Sequence, residues 1–83
     1  MDVFYTQKSA KQLKIFSHSI QKRIVEKMRF YASQNDPLKF VEHLSDRREG
    51  EFRFRVGNYR LIFDVRANVI YILKIDRRDN VYK

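Results

Sequence analysis

Eighty-three residues carrying a formal net charge of +8 and no cysteine leave room for one domain, residues 1–83, and exclude a disulfide framework or a thiolate metal site. The apolar runs are too short to span a bilayer, the segment MDVFYT lacks the layout of a signal peptide, and neither histidine has the spacing of a metal pair. The expectation is a cytoplasmic protein with no membrane contact, no metal and no cofactor, whose basic surface meets an anionic partner.

Met1 to Thr6 reads as a first strand. Thr6 caps a short helix over Lys8 to Phe16, with Ala10, Leu13 and Phe16 as its apolar stripe and Lys8, Lys11 and Lys14 on the solvated side. Ser17 caps a longer helix from about His18 to Gln34. On it Ile20, Ile24, Met28 and Tyr31 fall at spacings of four and three, and Val25, Phe30 and Ala32 widen that stripe. Asn35-Asp36-Pro37 ends the helix, because proline restricts the residue before it. Phe40, Val41 and Leu44 then suggest one helical turn closing the core, and Ser45 to Gly50 a polar loop.

From Phe52 the pattern changes to alternation. Phe52, Phe54 and Val56 share one face of a strand and Arg53 and Arg55 the other. Gly57-Asn58 supplies a tight hairpin turn, and Ala67-Asn68 a second. In the returning strand, Leu61, Phe63 and Val65 face the helices, while Arg60, Ile62, Asp64 and Arg66 face away. The last strand sets Val69, Tyr71, Leu73 and Ile75 against Ile70, Ile72, Lys74 and Asp76. Both sets are largely apolar, which predicts the central strand. The whole is an α+β fold in the order β-α-α-β-β-β, an antiparallel sheet with two amino-terminal helices packed on one face. The partner strand of Met1 to Thr6 is left open.

The basic residues are unevenly divided. From Arg47 to Lys83 all but two are arginine, and from Met1 to Asp46 all but two are lysine. Arginine suits bidentate phosphate contact, and here it gathers in the sheet half. The competing readings are a solvated face for Arg53 and Arg55 and an ion pair with Asp64 for Arg60. His18 and His43 read as surface residues.

The order of elements, with RVGNYRLIF followed by ILKIDRRDNVY, resembles the RelE/ParE superfamily of toxins from type II toxin-antitoxin systems, and within it the RelE side. The helix segment SIQKRIVEKMRFYA is also similar to that family. The resemblance implies a ribosome-dependent messenger-RNA endonuclease, an mRNA interferase working in the ribosomal A site. The 2′-hydroxyl attacks the adjacent phosphate, leaving a 2′,3′-cyclic phosphate and a 5′-hydroxyl. By resemblance, Arg53 and Arg55 hold phosphate or take part in proton transfer. Arg60 binds the scissile phosphate, Arg78 is the arginine before the terminal valine-tyrosine, and Tyr82 orients or stacks on a base. A cognate acidic antitoxin and a toxin-antitoxin hetero-oligomer are implied as well.

Internal attack on a phosphodiester needs a base, an acid and cations for the developing charge. Arginine serves only the third, since it stays protonated. The sequence has arginine where some active relatives have lysine, and Arg77 where many have histidine. Lys74 and Tyr82 are the candidates for the base, and Lys74 and Arg77 are also expected to help hold substrate. Two other functions compete. One is a non-catalytic ParE-type toxin that inhibits DNA gyrase through protein contacts. The other is a plain nucleic-acid-binding module with steep salt dependence.

Overall fold

The computed structural model describes residues 1–77. Five strands, two helices and one 3-10 turn run in the order β1 (Asp2–Tyr5), α1 (Gln7–Ile15), α2 (His18–Ala32), the turn (Pro37–Phe40), β2 (Glu42–His43), β3 (Phe52–Val56), β4 (Tyr59–Arg66) and β5 (Val69–Arg77). Both helix starts follow from their caps. The Thr6 hydroxyl accepts from Ser9 N at 3.2 Å, and the Ser17 hydroxyl accepts from Ile20 N at 3.3 Å. Each satisfies an amide that the first helical turn leaves without a partner.

The sheet order is β1-β5-β4-β3-β2. The expected α+β architecture holds, but the central strand is β4; β5, expected there, is internal and lies one place to the side, because β1 covers its outer edge. The sheet is mixed rather than wholly antiparallel, because β1 joins β5 in parallel, pairing Phe4 with Tyr71 and Tyr5 with Ile72. The α1–α2 unit provides the long crossover that a parallel neighbour requires. Past Tyr5 the outer edge of β5 loses this partner, and Gln12 takes over: its Oε1 accepts from Ile75 N at 2.7 Å.

The core lies between the helices and one sheet face. Ile24, Met28 and Ala32 of α2 pack with Phe54, Val56, Leu61, Phe63, Ile70, Ile72 and Ile75, and Leu13, Phe16, Ile20 and Tyr31 border them. Tyr31 stacks on Phe54 at 4.1 Å between ring centroids. Phe30 departs from the expected stripe: it is 56% exposed, since the 100° helical step carries it beyond the buried face. The helix also stops at Ala32 rather than Gln34. The expected turn near Phe40 is a 3-10 turn, followed by the two-residue strand β2; the Phe40 side chain lies outside the described part, and Val41 borders the core.

Both hairpin turns need a left-handed backbone. Gly57 has φ +61°, and Ala67 and Asn68 have φ 50° and 64°, the signature of turns matched to the twist of their strands. One irregularity reorders β5. The pairing shifts between Ile62, opposite Lys74, and Phe63, opposite Ile72, so Leu73 is an extra residue. The expected strict alternation therefore breaks. Ile70, Ile72 and Ile75 all point into the core, while Lys74 and Asp76 lie on the opposite face beside Ile62 and Arg60.

Candidate functional site

The sheet face away from the helices is only partly open. The loop after β2 folds across it, closed by Leu44 N donating to Glu51 O at 2.9 Å and anchored by Glu51 N donating to Asp64 Oδ1 at 2.9 Å. Gly50 presses on the sheet here, so that a Cβ added to it would lie 2.6 Å from Ile62 Cγ2. This contact explains why Ile62, on the polar side of β4, is only 6% exposed.

Between the loop and β3–β5 is a cavity of about 740 Å³. Arg53, Arg60, Ile62, Lys74 and Asp76 form its floor, and His43 to Asp46 with Arg48 and Glu49 form its wall. Three cations expected to handle phosphate thus come together, each held by a carboxylate. Arg53 Nε lies 2.8 Å from Glu42 Oε1, Arg60 Nε lies 2.9 Å from Asp76 Oδ1, and Lys74 Nζ lies 2.8 Å from Glu49 Oε2 and 3.7 Å from Asp76 Oδ2. Arg60 therefore pairs with Asp76 and not with Asp64. The Glu49 hydrogen bond holds the Lys74 ammonium above its ordinary range, against a smaller opposing effect of burial. Lys74 is accordingly a persistent cation and a poor proton acceptor.

The other expected residues are placed differently. Arg55 shares the Glu42 oxygen at 3.4 Å but lines a separate groove between β3 and α2, with Lys22, Arg23, Lys27 and Phe30. Arg77 is the cross-strand partner of Tyr59, whose ring packs on Phe16 of the helix layer, so it stands on the helix side of the sheet end and not at the cavity. Arg78 and Tyr82 lie outside the described residues. His43 borders the cavity and sets its ring edge to Phe52. Among the described residues no group of three or more metal-ligating side chains comes together, and no helix is long and apolar enough to cross a membrane.

Sequence reasoning missed the carboxylates. Asp76 sits beside Lys74 in the same strand, which was legible, but its pairing with Arg60 depends on register across the bulge. Glu42 and Glu49 belong to the short strand and loop that carried no periodic signal.

The family described as the ParE toxin of type II toxin-antitoxin system, parDE, matches residues 3–82. The chain belongs to this family. It is a toxin of the RelE/ParE superfamily, and three solved structures are similar over nearly its full length. The toxin-antitoxin complex RelBE2 from Mycobacterium tuberculosis matches with TM-score 0.77 and 26% identity, covering 93% of this chain and 96% of that one. The archaeal RelE-RelB complex from Pyrococcus horikoshii OT3 matches with TM-score 0.73 and 27% identity, covering 95% and 96%. The RelB-RelE antitoxin-toxin complex from Methanococcus jannaschii matches with TM-score 0.66 and 27% identity, covering 96% and 95%. No curated protein matches the chain.

Proposed function

We propose that this toxin is a ribosome-dependent endoribonuclease that cuts messenger RNA in the ribosomal A site, and that a cognate acidic antitoxin covers its basic surface. The observation that carries the reading is the meeting of Arg53, Arg60 and Lys74 in one cavity on the sheet face away from the helices. A phosphate seated there takes hydrogen bonds from two guanidinium groups and an ammonium, the donors that stabilise charge developing on a phosphorane. In the reaction the 2′-oxygen bonds to phosphorus as the bond to the 5′-oxygen breaks. The 2′-hydroxyl proton goes to a base, and the departing 5′-oxygen takes a proton. Asp76 and Glu49 line the same cavity and supply acceptors of a kind that arginine and a persistently charged Lys74 do not. The ribosome contributes the strand geometry that aligns the attack.

A second reading, gyrase inhibition through protein contacts, draws on a different observation. Each cavity cation already has a carboxylate partner, which suits a polar protein interface that needs no phosphate.

Induced expression followed by primer extension on cellular messages separates the two. Codon-positioned cuts that disappear with Arg60→Ala are expected of the nuclease. Intact messages with arrested replication reverse the choice. The toxin-antitoxin assignment further expects an adjacent gene for a small protein with an acidic segment that orders on binding.

A further inference from the structure

Phe4 is the third of the four residues of β1, and it is 54% exposed, one of three large hydrophobic side chains left in solvent among the described residues. Its neighbours Val3 and Tyr5 border the core, so strand parity directs Phe4 to the opposite face. There it meets Tyr71, its partner across the parallel ladder, with ring centroids 5.6 Å apart and planes inclined by 62°. Tyr71 is in turn paired with Asp64 of β4, the carboxylate that anchors the loop beside Ile62 and Leu73. The two rings therefore occupy the same sheet face as the cation-lined cavity, on its β1 side.

We propose that the Phe4–Tyr71 pair is a stacking platform for an unpaired nucleobase of single-stranded RNA. The proposal rests on the reading that this toxin handles RNA, and it assigns a base contact where that reading has only phosphate contacts. On this face the rings are bordered by the charged Asp2, Asp64 and Arg66 and by two aliphatic side chains, Val69 and Leu73, the latter beneath Gly50, so charge limits the apolar patch short of the extent of an ordinary protein interface. Lys74 lies three residues along β5 from Tyr71, about 10 Å at the usual strand rise, within reach of the phosphates next to a base stacked on Phe4. Asp2 and Asp64 repel phosphate, which places the RNA backbone on the Lys74 side of the rings. Aromatic rings beside a cationic track are the arrangement by which single strands are held with little sequence preference.

The test uses a fluorescein-labelled single-stranded RNA oligonucleotide, titrated with the intact protein at low salt and read by anisotropy. Phe4→Ala is expected to weaken binding about tenfold or more, with the salt dependence unchanged, because a stacking contact releases no counterions. Lys74→Ala is expected to weaken binding and flatten the salt dependence. Ile15→Ala, which trims another exposed apolar residue on α1, should change neither. The chain has no tryptophan, so Phe4→Trp adds a single indole whose emission should be quenched by the oligonucleotide. Unaltered binding by Phe4→Ala together with unquenched Phe4→Trp overturns the platform while leaving the RNA reading in place. Loss of a concentration-dependent dimer in Phe4→Ala with RNA binding unchanged also overturns it, and assigns the rings to a second copy. Failure of the unsubstituted protein to bind the oligonucleotide removes the RNA reading and the platform together.

Discussion

Arg60 and Asp76 face one another across β4 and β5, with Nε 2.9 Å from Oδ1 and both side chains about one-third exposed. A pair this open to water contributes about 1 kcal/mol or less to stability. Its larger effect is on ligands, because a phosphate must compete with Asp76 for the guanidinium. Asp76→Asn should therefore tighten single-stranded RNA binding several-fold at low salt and steepen the salt dependence by about 0.7 in log–log slope. Glu42→Gln, which releases Arg53 and Arg55 from their shared oxygen, should act in the same direction. If Asp76 is the proton acceptor, Asp76→Asn will also cut poorly despite binding well. Anisotropy titrations at several salt concentrations, beside a ribosome-programmed cleavage assay, measure both effects. Unchanged affinity in both variants would count against the cavity as a phosphate site.

Gly50 tests whether the loop is part of that site. Its added Cβ would lie 2.6 Å from Ile62 Cγ2 and 3.2 Å from Leu73 Cδ1, so Gly50→Ala forces the loop or the sheet to give way. The expected cost is about 1–3 kcal/mol, as for overpacking elsewhere, seen as a lower denaturation midpoint with an unchanged slope. Lifting the loop also draws Glu49 from Lys74. A Gly50→Ala protein that keeps full stability would show that the loop yields freely.

Tyr5 provides a pH test. Burial pushes its phenol up from 10.0 to about 12, partly offset by nearby Arg29, and its hydroxyl finds no partner among the described residues. The folded chain holds this proton more tightly than the unfolded chain does. The stabilisation is therefore complete below pH 10 and is lost as pH rises through 12. Tyr5→Phe should leave neutral-pH stability unchanged or raise it by up to about 1 kcal/mol, because an unsatisfied hydroxyl is removed. It should also flatten the alkaline decline between those limits. Denaturant titrations at stepped alkaline pH check this, and an equally steep decline in Tyr5→Phe would assign the loss to other groups.

Several features of the fold were legible locally. Thr6 and Ser17 as caps, the stripe through Ile24 and Met28, the inward set Phe54, Leu61 and Phe63, and both left-handed turns depend on residues a few positions apart. Of the candidate site, the sequence placed Arg53, Arg60 and Lys74 toward one surface. It did not separate them from Arg55, which turns to the α2 groove, or from Arg77, which stands on the helix side.

What the chain determined unaided was which side of each element is apolar, because periodicity of two or 3.6 is a local property of the backbone. The tertiary structure alone decided which elements became neighbours. It set β1 parallel to β5 and so put Phe4 beside Tyr71; its bulge at Leu73 turned Lys74 and Asp76 toward Ile62 and Arg60; and it laid Glu49 over the sheet. Those relationships join residues tens of positions apart, and their free energies depend on register, dielectric and the arrival of a distant partner, none of which a local pattern encodes.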